Sequence, residues 1–356
     1  MRIVRLPASA SAFERGVQHG RAWAEPIAEI ARIRMRLVRE QAGFRSDDEV
    51  LRVAKRHLPK LAAYDEALSQ ELLGIAKGAG LDAAAIVVLN HYTDLKDLHA
   101  GAIDEDCSAI TAGTREGALL GQTWDMHGSA SPYVSMLHVP PLGDRPEAWL
   151  LSIVGCLGMA GMNAHGVGIT INNLRSNDAR VGLVWPALVR RVLAERTAEA
   201  AARVVETAPL GSGHHYLVAD AREAIGIETS GRLAERWARA DLAMIGSGFH
   251  HENHCLGVRV KEVSSISPIS TTLERHAWLD RSLTRAIEGE ADLWSRLGSH
   301  DGFPRSICTH LATPQSPDAM LTCAGIVMNL RARTIAAIDG CVHDGTPTTF
   351  GFETSP

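Results

Sequence analysis

The chain has 356 residues, 46% of them hydrophobic and 22% charged, the profile of a folded globular protein rather than a disordered one. Its formal net charge is −5 and no block of basic residues stands out, which argues against a nucleic-acid partner. No run reaches the roughly 18 apolar residues of a membrane helix, and the first seven residues lack the apolar centre of a signal peptide. The six cysteines (107, 156, 255, 308, 323 and 341) form no C-x-x-C pair. Such scatter suits free thiols in a reducing compartment, so a cytoplasmic location is expected.

Residues 1–7 alternate as a short strand, and the pattern is helical from Phe13 to Ala42, with Gly43 as its stop. Further helices are expected at 47–58, with Pro59 at a break, at 64–77, and at 81–95 with Asp82 as N-cap. Composition changes at Gly101. Residues 101–106 are small and acidic, suited to an exposed, cleavable linker. Strands follow at 107–112, 118–123, 133–139 and 148–154, then a glycine-rich loop from Gly155, a tight turn at Ala164-His165-Gly166 and a strand at 167–174. Helices are expected at 185–195 and 197–206, and strands at 214–219, 224–229, 233–237 and 242–246. A loop at 249–254, helices at 271–288 and 290–298, and strands at 322–330 and 333–338 complete the chain. Helices, then strands, helices, and strands again suit two antiparallel sheets with helices outside them, an α+β arrangement.

The stretch Asp104-Glu105-Asp106-Cys107 places a thiol directly after three carboxylates, at the start of an apolar strand. A free cysteine is only slightly ionised at neutral pH, so catalysis needs a base or a lowered pKa. No papain-type or caspase-type signature surrounds Cys107. If the chain cut itself before Cys107, the new α-amine, with a pKa of about 7.7–8.0, would sit on the same residue as the thiol and could serve as its base.

Asp106-Cys107-Ser108-Ala109, Gly121-Gln122-Thr123-Trp124-Asp125, Gly161-Met162-Asn163 with Gly166, and Asn253-His254 occur in that order. In this the chain resembles the N-terminal-nucleophile (Ntn) hydrolases of the peptidase C45 family, which includes isopenicillin N acyltransferase and carcinine-type amidases. The resemblance implies a four-layer αββα sandwich with a mostly helical N-terminal segment. It implies autocatalytic cleavage of the Asp106–Cys107 bond, giving an α chain, 1–106, and a β chain, 107–356, held together as a heterodimer within one integrated domain. The implied activity is cleavage of a linear C–N amide through an acyl-thioester on Cys107, with transfer to an amine as the alternative, and a non-catalytic relative as a second class. The implied substrate is a small acyl amide, with no cofactor, no nucleic acid and no membrane. Assembly of several copies is left open.

By the same resemblance Cys107 matches the nucleophile, Asp125 an aspartate that holds the new ammonium, and Asn253 a donor to the oxyanion. Asn173 matches a second oxyanion-site residue, with Asn172 on the opposite strand face as its rival. Arg275, in Ser270-Thr-Thr-Leu-Glu-Arg275, is expected near the site, pairing with Asp125 or holding a substrate carboxylate. Trp124, Met126 and His127, flanking Asp125, are expected to support the pocket. Asp106 departs from the glycine that precedes the nucleophile in the acyltransferase. His214-His215 and His250-His251 with His254 are the densest of the 16 histidines, but adjacent histidines on a strand face opposite ways and no H-E-x-x-H is present. They are read as core or loop histidines, and no metal is expected.

Overall fold

The computed structural model describes residues 1–8, 10–98 and 106–353; most of the expected linker, 101–105, lies outside these. Among the described residues, β1 (Arg2–Arg5) is followed by the helices α1 (Ala12–Ala22), α2 (Ala24–Ala42), α3 (Asp47–Lys55), α4 (Leu58–Tyr64), α5 (Glu66–Ala79), α6 (Ala83–Asn90) and α7 (Tyr92–Asp97). The strands β2 (Ala109–Thr114), β3 (Gly117–His127), β4 (Val134–Val139), β5 (Ala148–Ile153), β6 (Ala160–Asn163) and β7 (Gly168–Leu174) follow. Next are α8 (Trp185–Val192), α9 (Ala198–Glu206), β8 (Gly213–Ala219), β9 (Glu223–Thr229), β10 (Ala234–Asp241) and β11 (Gly248–His251). The chain ends with α10 (Val258–Lys261), α11 (Thr272–Ser282), α12 (Glu290–Leu297), β12 (Met320–Asn329), β13 (Thr334–Asp339) and β14 (Thr348–Phe350). Among the described residues no single helix is long and apolar enough to cross a membrane.

The strands form two sheets, ordered β1-β4-β5-β6-β7-β8-β9-β10 and β11-β2-β3-β12-β13-β14. All neighbours are antiparallel except β1 with β4. The six-stranded sheet is buried on both faces, and its side chains sort by alternation. Leu120, Trp124, Ile326 and Met328 join Ile169 and Ile171 of the facing sheet in one core. Ile110, Leu119 and Val327 point the other way, under Leu279 of α11 and Leu293 and Leu297 of α12. On the far side α9 packs on β8 and β9. Gln122 ties the sheets together, its amide accepting from the Ile171 N–H at 3.0 Å and donating to the Ile171 carbonyl.

Several elements depart from expectation for local reasons. The helix expected over 13–42 breaks at Trp23, because Pro26 has no N–H to give to the Ala22 carbonyl. Pro59 starts α4 rather than ending its predecessor, a position that tolerates the missing N–H. The strand expected at 242–246 is a turn, where the Ala243 N–H donates to the Asp241 carboxylate at 3.0 Å. The helix expected to Glu288 stops at Ser282, whose carbonyl accepts from Arg296. Part of the expected loop 249–254 is β11, paired with β2.

Helices α1 and α5 touch backbone to backbone. A Cβ on Gly16 would lie 2.0 Å from the Glu71 carbonyl oxygen, and one on Gly74 would lie 2.1 Å from that of Phe13. Gly20 and Gly78, one turn further along, meet the partner helix as closely. Replacing Gly74 with alanine is expected to lower stability by roughly 1–3 kcal/mol, since the obstacle is backbone and cannot rotate away. The measurement is the urea midpoint, expected to fall with an unchanged slope.

Candidate active site

Cys107 lies just before β2 and is buried. Residues from three other places in the chain close on its backbone. Its N–H donates to Asn253 Oδ1 at 2.7 Å. Its carbonyl accepts from Arg275 Nη1 at 2.8 Å and from Asn172 Nδ2 at 3.1 Å. These positions follow from the sheet order: β11, which leads into Asn253, pairs with β2, and α11 covers that face.

Arg275 is fully engaged. Nε donates to Thr271 Oγ1 at 3.0 Å, and Nη1 donates also to Ser108 Oγ at 2.9 Å. Nη2 reaches Asn253 Oδ1 and Asp106 Oδ1, each at 3.0 Å. Five contacts match the five N–H donors of a guanidinium. Burial works against its charge, but the carboxylates of Asp106, Asp125 and Glu252 outweigh this and raise its pKa. The direct ion pair of Arg275 is with Asp106 rather than with the expected Asp125. The Asp106 carboxylate also accepts from the Ser270 hydroxyl at 2.9 Å and from the Thr271 hydroxyl at 3.0 Å.

Asp125 sits on β3 opposite Thr322 of β12, whose hydroxyl donates to Oδ1 at 2.7 Å. Its other oxygen is buried and has no hydrogen-bond partner. Burial pushes its carboxyl up to about 7, against the pull of Arg275 and Thr322. Burial also raises the Cys107 thiol, and the Asp125 charge adds to this; Arg275 and Gln122 oppose it. In the uncut chain the thiol therefore holds its proton firmly.

The two asparagines of β7 differ in what they touch. Asn172 is committed on every side, donating to the carbonyls of Cys107 and His251 while His215 Nδ1 lies 2.9 Å from its Oδ1. Asn173 lines a pocket with Cys107, and its side-chain oxygen is buried without a partner. Its backbone carbonyl accepts from Asn253 Nδ2 at 2.9 Å. The pocket is small, about 40 Å³, and mostly apolar, with Trp124, Met126, Leu151, Met159 and Trp185 in its wall. Trp124 and Met126, two apart on β3, thus share its face. His127 is not in this wall; it bonds to Ser129 at 2.8 Å and meets the Tyr92 ring edge-on.

The histidine pairs divide as strand alternation requires. His214 bonds to Asp94 at 2.8 Å, and His251 to Glu228 at 2.8 Å. The Glu252 carboxylate joins His250 at 2.9 Å to His276 at 2.6 Å. Burial opposes the charge on Glu252, but these two bonds hold its carboxyl down to about 2. Asn172, expected only as the rival of Asn173, instead holds the Cys107 carbonyl, and the partners Ser270, Thr271 and Thr322 were not expected. Ser270 and Thr271 stood inside the motif quoted for Arg275, so their nearness to a buried arginine was the available signal.

Two buried antiparallel sheets between helical layers, with a cysteine opening one central strand, are the architecture of the N-terminal-nucleophile hydrolase superfamily. Residues 113–336 match the acyl-coenzyme A:6-aminopenicillanic acid acyl-transferase family model, and the chain belongs to that family. The match begins six residues after Cys107. The chain is 28% identical over 243 residues to the 40 kDa form of acyl-coenzyme A:6-aminopenicillanic-acid-acyltransferase from Emericella nidulans, covering 67% of this chain and 66% of the relative. Among solved structures it is similar to penicillin V acylase from Agrobacterium tumefaciens (TM-score 0.44, 14% identity, 68% of this chain and 84% of that one). It is also similar to a variant of conjugated bile acid hydrolase from Clostridium perfringens (TM-score 0.45, 12% identity, 69% and 97%).

The Asp125 carboxyl ionises higher in the fold than its ordinary 3.8. Its contribution to stability is therefore complete below about pH 4 and is lost as the pH rises through about 7. In an uncut Cys107→Ala background, adding Asp125→Asn is expected to flatten the decline in stability across that window. Urea midpoints measured against pH check this, and an unchanged slope would place the titration elsewhere.

Proposed function

We propose that this chain is an autoprocessed cysteine amidohydrolase that cleaves a linear C–N amide through an acyl-thioester on Cys107. The observation that carries this reading is the grip on residue 107: its N–H, its carbonyl and the carboxylate before it are each held by buried partners. A peptide bond so fixed beside its own thiol is positioned for attack.

In the first stage the Cys107 sulfur attacks the Asp106 carbonyl carbon. A C–S bond replaces the C–N bond, and the thiol proton ends on the released nitrogen. Water then hydrolyses this thioester, leaving a carboxylate on Asp106 and a free thiol and amine on Cys107. The products are an α chain, 1–106, and a β chain, 107–356, retained as a heterodimer.

In the second stage the amine takes the thiol proton, directly or through one water. The neighbouring Asp125 carboxylate orients the resulting ammonium and stabilises it. The thiolate attacks the substrate carbonyl. Asn253 has two amide N–H donors and gives one to the Asn173 carbonyl, so the other can meet the oxyanion. Asn173 is the second oxyanion residue, because the Asn172 amide is already committed. The ammonium protonates the leaving amine, and water releases the acid. The apolar wall of Trp124, Met126, Leu151 and Met159 suits an apolar acyl group. Acyl transfer is the second reading, favoured by the relative's name; an amine then replaces water in the last step. The six unpaired thiols fit a reducing, cytoplasmic setting.

Intact mass spectrometry tests the first stage. Wild-type protein is expected as two pieces, the larger beginning at Cys107, and Cys107→Ala as one chain of 38.3 kDa. A working enzyme still peptide-linked at residue 107 would overturn the reading. In processed protein, Asn253→Ala is expected to lower kcat by about 10²–10³-fold, as for loss of one oxyanion donor. Product analysis with and without a competing amine separates hydrolysis from transfer.

A further inference from the structure

Four metal-type side chains that the reaction does not use come together at the tail. His300, Cys308 and His310 lie on the loop between α12 and β12, and Cys341 lies in the turn after β13. One ring nitrogen from each histidine and the two Sγ atoms all lie within 4.8 Å of one another. The two sulfurs are 3.8 Å apart, Cys308 Sγ is 3.5 Å from His310 Nε2, and Cys341 Sγ is 3.6 Å from His300 Nε2. We propose that these four residues form a tetrahedral zinc site that fastens the 298–313 loop to the β13–β14 turn.

The distances carry the argument. With Zn–S of about 2.3 Å and Zn–N of about 2.0–2.1 Å, a tetrahedron has S–S edges of about 3.8 Å and S–N edges of about 3.5 Å. These three separations match such edges, and thiol–imidazole attraction alone does not require all four atoms to converge. Both cysteines are free thiols. The donor set is soft and borderline, two thiols and two imidazoles, the combination that selects zinc. Binding is balanced: two thiols lose their protons to solvent, two imidazoles bind as neutral bases, and two thiolates cancel the charge of Zn²⁺. The Asp344 carboxylate, 3.5 Å from Cys341 Sγ, adds a further negative group facing the same point. His343 stacks on the His300 ring at 4.2 Å and is anchored to the Gly298 carbonyl at 2.9 Å, which fixes the His300 plane. The other histidine–carboxylate cluster, His250, Glu252 and His276, is different: its ring nitrogens are already hydrogen-bonded to carboxylates.

Four protein ligands leave no open position, so the ion is structural. Thr309, between two ligands, donates its N–H to Thr322 Oγ1 at 2.8 Å and accepts from the Thr322 N–H at 2.9 Å. Thr322 in turn donates to Asp125. The cation thus holds the strand partner of Asp125 from behind without touching the pocket.

The test uses the full chain, purified without chelator from zinc-supplemented cells. Elemental analysis is expected to give about one zinc per chain. Cobalt(II) exchanged into the site is expected to show tetrahedral ligand-field bands with thiolate charge transfer. Cys308→Ser with Cys341→Ser should lose both signals, and chelator should lower the Tm of wild type but not of the double variant. Wild-type protein that holds no stoichiometric zinc and takes up no cobalt would overturn the proposal. So would zinc retained by the double variant, or a Cys308–Cys341 disulfide in the purified chain. Cys107→Ala should bind zinc equally, so this result stands apart from that of the proposed reaction.

Discussion

The buried Arg275 is the constraint on which the site depends. A guanidinium taken out of water is tolerated only when its charge is paired and its donors are satisfied. Here the pairing comes from Asp106, and the remaining donors go to Thr271, Cys107, Ser108 and Asn253. One cation therefore fixes both sides of the 106–107 peptide bond and the amide that faces it. Lysine could not substitute, since its ammonium has three donors and no planar fork.

Much of this arrangement was legible in the chain because it is local. The strand at 118–123 and the three-four spacing of 27–38 follow directly from burying one or both faces of an element. The order of motifs around Cys107, Asp125 and Asn253 marked the strands that meet at the site. Partners distant in the chain were not legible. Nothing near Asp106 says that Ser270 and Thr271, 164 and 165 positions away, will hold its carboxylate. The choice between Asn172 and Asn173 turned on which side chain was already committed to the backbone of Cys107, and a strand pattern cannot supply that.

The histidines and cysteines make the same point from the other side. Density along the chain drew the metal question to 214–215 and 250–254, where alternation and neighbouring carboxylates give most rings ordinary partners. The four side chains that do converge are spread from 300 to 341 with no recognisable spacing. Closing that 41-residue gap is the work of β12 and β13, which pair antiparallel and return Cys341 beside the start of the loop.

The parallel pairing of β1 with β4 has a consequence for any chain divided at 106. The first fragment carries the edge strand of the eight-stranded sheet, and its Arg15 donates to the carbonyls of Pro140 and Pro141 on the second. Glu71 likewise meets Arg190 across that division in a two-pronged ion pair. What begins as strand addition within one molecule would become a bimolecular event if the pieces were ever separated. Reassembly would then depend on concentration, although the seam itself is made of the same bonds.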